Sequence, residues 1–290
     1  MSNNNESMSN NNESIKASHV AAVSTKVLTD SKNKIKAIAE KFSLYGKITP
    51  KGEETLETRL QARITQKQLL EQANLEQIIK LSYDLCHDEP TRDPDPDWLI
   101  RFLDMAEQIH NPSMQKLWAR ILKQELIQAG SVSLRTLQIL QTMTHREAMI
   151  FQKTLTLTCC IGNDKNKKLL TSIKQRKGSF SLQRTHQSHI DYSQYQLPYS
   201  SILILTELGL ILSTELETNA ISPTEKLKFS YHQLAYDLYP IRKGCSLTYY
   251  RLSPIGQELA HLIGSQPNDT YQEELYEVLL KYFTISSKEK

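Results

Sequence analysis

The start signals of four consecutive helices between residues 95 and 155 constrain the fold of this chain more than any other feature. Each signal contains a side chain that can cap a helix. In three of the four it is combined with a residue suited to the first turn, either a proline or a glutamate that completes a capping box. The connections between the helices are short, so neighbouring helices are expected to pack antiparallel or at a steep angle. The signals are Asp95-Pro96, Asn111-Pro112, Ser133, and the pair Thr144 and Glu147.

Apolar side chains follow each start at helical spacing and define one buried stripe per helix. Gly130 is well placed to end the second helix in a left-handed conformation. Large aromatic side chains on such stripes fill cores far more often than they form ligand platforms. We therefore interpret four of them as structural anchors: Trp98, Phe102, Trp118 and Phe151.

Glu125 interrupts this pattern, because it lies four residues after Ile121 on the apolar stripe of the second helix. An isolated buried carboxylate is very costly, so we expect a partner. The candidates are an ion pair with Arg135 or Arg146, or hydrogen bonds to the N–H groups that open the helix at Ser133. We count Glu125 among the structural anchors, with a catalytic carboxylate as the less favoured alternative.

Composition excludes several classes of protein. The chain has 290 residues, 39% of them hydrophobic, and a net charge of +3, which is too mild to require a nucleic-acid partner. The four cysteines form no CxxC pair, which favours a reducing cytoplasm. The N-terminus does not have the pattern of a signal peptide, and the longest apolar run, residues 202–212, is too short to span a membrane.

The N-terminal part combines a repeat with two helical regions. The heptapeptide MSNNNES occurs twice in residues 1–14, which predicts a disordered tail and leaves open whether translation starts at Met1 or Met8. Residues 15–52 are weakly helical, and Ile35, Ile38 and Phe42 could form one apolar face. Residues 53–86 predict one long helix whose first half, to residue 66, is charged and solvated. We expect this helix to be the association surface.

The C-terminal part predicts a change of character. Residues 161–198 are interpreted as a polar, basic linker, with a short helix at residues 169–175. Residues 201–208 suit a helix ended by Gly209, and residues 210–217, 226–232 and 247–252 suit strands. Ser253-Pro254 restarts a helix that runs to about Ile263, and Thr270 is the predicted cap of a last helix. The predicted fold class is mainly α, a helical array followed by a smaller α+β winged-helix-like domain. The predicted parts are 1–14, 15–52, 53–160, 161–198, 199–265 and 266–290.

Chemical motifs are mostly absent, and we assign no catalytic, cofactor-binding or metal-binding residue. The sequence contains no GxGxxG, GxxxxGK[ST], HExxH or GxSxG motif. His87-Asp88 precedes a linker, without the further ligands that a metal requires. Cys159-Cys160 with His186 and His189 could supply four zinc ligands, but vicinal cysteines rarely face one ion, so buried thiols are the favoured interpretation.

The order of elements after residue 199 resembles a winged-helix domain. The residues that carry the resemblance are Leu208-Gly209-Leu210-Ile211 after a helix, and Leu252-Ser253-Pro254-Ile255-Gly256 before the next. The resemblance implies that a strand pair forms a wing and that residues 200–208 form the recognition helix. That segment has no Lys or Arg, although a major-groove reader normally presents basic or amide side chains. The fold is thus expected without base readout by this helix.

The central run resembles a family of uncharacterised gammaproteobacterial proteins known only by a domain-of-unknown-function label. The resemblance rests on Asp97-Trp98, on residues 114–122 (MQKLWARIL), on Glu125-Leu126 and on residues 133–137 (SLRTL). The helix array is more distantly similar to alpha-type abortive-infection (Abi-alpha) phage-defence proteins. The resemblance implies no established catalytic residues.

Three functional hypotheses follow. The first is a non-catalytic cytoplasmic interaction or regulatory protein that binds a protein partner or itself. The second is a nucleic-acid-binding protein, with phage defence as a candidate process, that uses the winged-helix-like domain and a basic segment. The third is a hydrolase whose best candidate residue is Glu125. No membrane partner and no cofactor are expected. The basic candidates are Lys167, Lys168, Arg176, Lys177 and Arg184.

Overall fold

The computed structural model describes residues 30–49, 54–177 and 184–287, and the chain divides into two compact units, Met1–Lys67 and Gln68–Lys290. The predicted tail at residues 1–14, with its two candidate start methionines, lies outside the described residues. The first unit contains helix α1 (Ser31–Lys41), a short 3-10 helix (Tyr45–Lys47) and the beginning of helix α2. Helix α2 (Leu56–Leu85) confirms the long helix expected at residues 53–86.

The second unit begins with the rest of α2 and the helical array expected from the start signals. All four caps are confirmed: Asp95, Asn111, Ser133 and Thr144 accept hydrogen bonds from backbone N–H groups of the first turns, and Thr144 forms the capping box with Glu147. Local capping chemistry thus sets these boundaries. The helices are α3 (Pro96–Ala106), α4 (Pro112–Ile127), α5 (Leu134–Thr142) and α6 (His145–Leu155).

The remaining elements are three α-helices, a short 3-10 helix (Tyr192–Tyr195) and a sheet. The helices are α7 (Tyr199–Glu207), α8 (Pro254–Ile263) and α9 (Asp269–Leu280). The strands are β1 (Cys159–Ile161), β2 (Asp164–Lys177), β3 (Arg184–His189), β4 (Leu216–Glu217), β5 (Leu227–Tyr231), β6 (Leu234–Pro240), β7 (Cys245–Arg251) and β8 (Phe283–Ser287). Within the described residues these eight strands form one sheet, all antiparallel to their neighbours, in the order β4-β7-β2-β1-β5-β6-β8, with β3 paired to β2.

The predicted fold class, mainly α with a smaller winged-helix-like domain, is wrong. A wing requires two paired strands, but the strands expected at residues 226–232 and 247–252 do not pair with each other. Strand β5 pairs with β1 and β6, whereas β7 pairs with β2 and β4. Strands β2 and β1 lie between β5 and β7, so the two do not form a hairpin. The helical array is therefore followed by a broad antiparallel sheet.

The segment predicted as a polar linker supplies the centre of that sheet. Residues 164–177 form the 14-residue strand β2, and the short helix expected at residues 169–175 lies within it. Three apolar side chains of this strand are fully buried: Leu169, Leu170 and Ile173. The lysines of the segment made this apolar pattern difficult to recognise. Whether a segment forms an edge strand or a central strand depends on pairing partners that are distant in sequence. A charged composition therefore did not exclude a strand here.

Two further boundaries differ from the prediction. Residues 210–217 supply only an isolated bridge at Ile211 and the two-residue strand β4. The last helix, α9, is capped by Asn268 rather than by Thr270. Strand β8 joins the sheet by pairing with β6. Helix α9 packs on the sheet, and its Tyr271 is fully buried in the sheet core.

Two apolar cores organise the second unit. One lies within the helical array and includes residues of α7 and α8, and the other joins the sheet to α9. Glu258 of α8 accepts hydrogen bonds from the backbone N–H of Ser133 (2.9 Å) and the hydroxyl groups of Ser133 and Thr136, so a carboxylate distant in sequence caps α5. Among the described residues, no helix combines the length and apolarity needed to cross a membrane.

Candidate interaction groove

The N-terminal unit exposes a large part of its apolar side chains. Asp30 caps helix α1 by accepting from the backbone N–H groups two and three residues later. Ile35, Ile38 and Phe42 follow at helical spacing, and they are 57%, 45% and 37% exposed. The apolar face that the sequence predicted therefore exists in the structure, and it has little cover. Exposed apolar surface of this extent marks interaction sites.

A groove of about 270 Å³ lies between the turn after α1 and the start of α2. Three leucines line it: Leu44, Leu56 and Leu60, which are 57%, 76% and 42% exposed. Three basic residues line it as well: Lys47, Arg59 and Arg63. The groove thus combines an apolar surface with positive charge, a combination that favours an amphipathic acidic ligand.

Two hydrogen bonds to Glu54 order the start of α2 and hold the turn against it. The Arg59 Nη1 group donates to the Glu54 carbonyl oxygen at 2.6 Å, and the Tyr45 hydroxyl donates to the Glu54 carboxylate at 2.6 Å. The latter hydrogen bond is the main cause that raises the pKa of Tyr45. Gly46 permits this arrangement, because a Cβ atom there would lie 2.6 Å from Arg59 Nε. The groove is therefore preformed by contacts within this unit.

The charge of the described part of this unit is strongly positive. Residues 30–49 and 54–67 contain eight basic and four acidic side chains, whereas the whole chain has 35 basic and 32 acidic residues. Much of the net charge of the protein is thus concentrated in these 34 residues. Surface charge of one sign steers partners of the opposite sign.

Sequence reasoning missed half of this surface. Residues 53–66 were interpreted as a solvated, charged half-helix, although Leu56, Leu60 and Ile64 recur every four residues there. All three side chains are more than a third exposed. The four-residue spacing was the available signal, and the charged residues between the apolar ones obscured it.

The basic candidates for nucleic-acid binding do not form one patch. Lys167 and Arg176 are separated by nine residues of strand β2, which is about 30 Å at the usual strand rise. Lys168 is buried: its ammonium group contacts the Asp164 carboxylate at 3.0 Å and the Asn166 carbonyl oxygen at 2.8 Å. The backbones of Lys177 and Arg184 pair across β2 and β3, but the structure does not describe the Arg184 and Lys177 side-chain surroundings.

Arg176 has different basic neighbours, which the sequence did not indicate. Its backbone N–H donates to the Gly244 carbonyl oxygen at 3.0 Å, which places the β6–β7 turn with Arg242 and Lys243 beside it. Both of these side chains are exposed, and neither shows an ion pair in the described part of the chain. Arg176 itself lies 3.6 Å from Glu217.

Helix α7, the expected recognition helix, has no basic side chain, and the wing is not formed by the strands expected to pair. Gly209 does end the helix with a positive φ of 70°, so the predicted turn is present. Because neither the basic helix nor the expected wing is available, the winged-helix route to DNA binding has no support among the described residues.

Glu125 lies in a sealed environment. It is 1% exposed, and its carboxylate accepts from the Gly130 N–H at 2.5 Å and the Val132 N–H at 3.2 Å, with the Ser131 hydroxyl at 3.4 Å. These donors, rather than either predicted arginine, are its partners in the described part of the chain. The hydrolase hypothesis therefore loses the residue on which it depended. The aromatic anchors are also buried, at 6% exposure or less: Trp98, Phe102, Trp118 and Phe151.

Three of the residues considered as metal ligands, Cys160, His186 and His87, have other partners. Cys159 is buried, which raises its pKa to about 12, and Cys160 Sγ contacts the Lys165 carbonyl oxygen. His186 is hydrogen-bonded to the Tyr282 hydroxyl at 2.8 Å, and His87 Nδ1 to its neighbour's carbonyl oxygen at 2.7 Å. Within the described ranges, no three His, Cys, Asp or Glu side chains are grouped so that they could hold a metal ion.

Comparison with known proteins gives a family match. The family model described as "Protein of unknown function (DUF2806)" matches residues 58–276. No curated protein and no solved structure shows a significant match to the chain.

Proposed function

The chain belongs to the DUF2806 family of proteins of unknown function, and within that family we propose that it is a non-catalytic interaction protein. Its N-terminal unit binds an acidic amphipathic segment of a partner protein. The observation that carries the proposal is the groove formed by Leu44, Leu56 and Leu60 with basic residues around it. A cytoplasmic location is part of the proposal, and four free cysteines support it.

The apolar part of the groove favours a partner with an ordered apolar stripe. A helix that presents leucine-sized side chains at positions i, i+3 or i+4, and i+7 is the usual ligand of such a surface. The three exposed leucines offer matching contacts, and burial of an exposed leucine stabilises a complex by about 1.5–3 kcal/mol before the entropic cost of binding.

The basic residues specify the charge of the partner. Lys47 and Arg63 are exposed at the groove, and neither has an ion pair in the described part of the chain. A helix with glutamates beside its apolar stripe would neutralise them, whereas a lysine-bearing helix would be repelled. Salt should weaken binding, since these charges are accessible to solvent.

The test is fluorescence anisotropy with three synthetic peptides and the full chain. The first peptide has a leucine stripe flanked by glutamates, the second has the same composition with the stripe scrambled, and the third has lysines in place of the glutamates. Saturable binding of the first peptide alone supports the proposal. Equal binding of the scrambled peptide or of the lysine peptide would contradict it, as would no binding at low salt.

Two matched variants locate the surface. Leu56→Ser with Leu60→Ser should abolish binding of the glutamate peptide, and Arg63→Glu should weaken it by about tenfold or more. Leu203→Ser is the control, because Leu203 is 46% exposed on α7, far along the chain from the groove. If the control loses as much affinity as the groove variants, the peptide binds elsewhere and the assigned surface is wrong.

A second candidate function, nucleic-acid binding, has one specific observation in its favour. Arg242 and Lys243 lie beside Arg176 at one end of the sheet, and neither has an ion pair among the described residues. A phosphate backbone is the natural ligand for such charges, and its binding decreases steeply with salt. The relation to abortive-infection proteins and a role in phage defence belong to this candidate as proposals.

This candidate is tested with a labelled single-stranded oligonucleotide over a range of salt concentrations. Arg242→Ala with Lys243→Ala should weaken binding and reduce the salt slope by about 1.4, at about 0.7 per lost contact. Arg135→Ala with Arg146→Ala removes the same charge from the exposed surface of the helical array and should change neither quantity as much. Equal effects of the two double variants would show that only net charge matters.

A further inference from the structure

The C-terminal half of helix α2 presents a second apolar stripe to solvent. Leu69, Ile79 and Tyr83 are 66%, 45% and 78% exposed, although all three belong to a well-formed helix. With Gln72 and Glu76 they occupy positions spaced alternately by three, four, three and four residues. This spacing is that of the contact seam of a two-helix coiled coil.

The opposite face of this half-helix is fixed by the helical array. Ile78 is fully buried, the Asn74 amide donates to the Glu107 carbonyl oxygen at 2.7 Å, and the Ser82 hydroxyl contacts the Ala119 carbonyl oxygen at 3.4 Å. These contacts set the rotation of the helix about its axis. The stripe from Leu69 to Tyr83 is consequently directed away from the array.

A shallow apolar groove runs along this stripe. Its volume is about 430 Å³, and Leu75, Ile79 and Tyr83 contribute to its lining together with Gln72, Glu76 and Lys80. From Leu69 to Tyr83 the seam is about 21 Å long at the usual helical rise. A contact of this length is small, so a reversible association is expected.

We infer that the occupant of this seam is the same seam of a second copy of this chain, packed antiparallel around a two-fold axis. The charges select this arrangement. In an antiparallel pair centred near Ile78, Glu76 of each copy lies beside Lys80 of the other, so the two-fold axis produces two ion pairs. A parallel, in-register pair would place Glu76 against Glu76, which is repulsive.

The intrachain partners of these charges do not prevent the contact. Lys80 pairs with Asp84 at 2.5 Å, but both side chains are about half exposed or more, so the pair contributes little to stability. Glu76 accepts a hydrogen bond from the Gln72 amide at 2.8 Å, and its side chain is exposed. Glu76 is a position of the seam and Lys80 directly follows Ile79, so both charged groups are accessible to a second copy.

The two-fold symmetry makes a decisive experiment available. Sedimentation velocity of the full chain from micromolar to several hundred micromolar should show a monomer–dimer equilibrium. Glu76→Lys places the introduced ammonium group against Lys80 twice, and Lys80→Glu places two carboxylates together twice. Each variant alone should dimerise at least about tenfold more weakly. In a mixed antiparallel dimer of the two variants, the lysine introduced at position 76 faces the glutamate introduced at position 80, and the native Glu76 faces the native Lys80. An equimolar mixture should therefore dimerise more strongly than either variant alone.

The strength of the mixed dimer relative to the wild-type dimer distinguishes the two orientations. In the antiparallel register both dimers have two ion pairs, so their dimerisation constants should be similar. In a parallel, in-register pair the mixed dimer would replace two like-charged contacts with two ion pairs and would be stronger than the wild type. The double variant Glu76→Lys with Lys80→Glu restores both ion pairs in every antiparallel dimer. This double variant should recover the wild-type dimerisation constant within about threefold.

Circular dichroism of each variant checks that the helix is retained. A wild-type chain that stays monomeric over the whole range overturns the inference. A dimer that neither reversal weakens, or that the double variant fails to restore, overturns the antiparallel register. None of these variants changes the groove lined by residues between 43 and 63, so loss of dimerisation with intact binding of the glutamate peptide separates this inference from the proposed function.

Discussion

Glu125→Ala tests whether the buried carboxylate is structural. In the folded protein the carboxylate accepts two backbone N–H groups, from Gly130 and Val132, in an environment that leaves it 1% exposed. The substitution leaves both donors without their acceptor. Hydrogen bonds to a charged group contribute about 1.5–3 kcal/mol each, so we expect a loss of about 3–5 kcal/mol in the free energy of unfolding.

The assay is urea unfolding followed by fluorescence, in which Trp98 and Trp118 both report on the helical core. The free energy of unfolding decreases by m times the shift in the midpoint, provided that m is unchanged. Glu125→Gln keeps one acceptor oxygen but turns an amide N–H towards a backbone donor, so a loss of about 1–3 kcal/mol is expected.

Glu207→Gln is the control, because Glu207 is exposed at the C-terminal end of α7. This substitution should change the free energy of unfolding by about 0.5 kcal/mol or less. If Glu125→Ala is no more destabilising than this control, the carboxylate does not stabilise the loop before α5. Its burial would then need another explanation, and the catalytic alternative would return.

Three further results are expected. Thiol labelling at pH 8 should modify two cysteines rapidly and the other two only after unfolding; rapid labelling of a cysteine assigned to the protected pair would contradict the assigned burial. The rapid pair is Cys86 and Cys160, and the protected pair is Cys159 and Cys245, whose pKa values burial raises to about 12. Gly256→Ala should lower the free energy of unfolding by about 3 kcal/mol or more, because the new Cβ atom would lie 2.2 Å from the Leu210 carbonyl oxygen; a wild-type melting temperature would refute this contact. The Lys123 hydrogen bond lowers the pKa of Glu89 to about 2. The stabilisation from Glu89 should therefore be complete above its usual pKa of 4.5 and disappear as the pH falls towards 2. A Glu89→Gln variant whose loss in free energy of unfolding stays constant between pH 7 and pH 3 would contradict this pH dependence.

Local chemistry decided which parts of the fold the sequence could predict. Asp95, Asn111, Ser133 and Thr144 act within three residues of their own positions, so the helix starts were visible without any tertiary contact. The pattern also indicated the apolar face of α1 and the partnered state of Glu125. It placed the partner of Glu125 close by, but the observed donors belong to the loop before Ser133 rather than to the helix itself.

For a similar reason, the sequence indicated only one part of the candidate groove. The apolar face of α1 follows from spacing within one helix. The leucines of α2 became part of a groove only when the turn at residues 45–47 folded back over Arg59. A contact between separate elements of this kind has no signature in either segment alone.

The sequence by itself determined where the four helices between residues 95 and 155 begin, because caps, prolines and apolar periodicity act over a few neighbouring residues. Only the tertiary structure decided that residues 164–177 form a central strand. Their partners Cys159, Thr248 and His189 come from three separate segments, and pairing energy appears only when those segments meet. Lys168 shows the physical reason most plainly: a lysine predicted for solvent is buried, because Asp164 and two carbonyl oxygens replace its water.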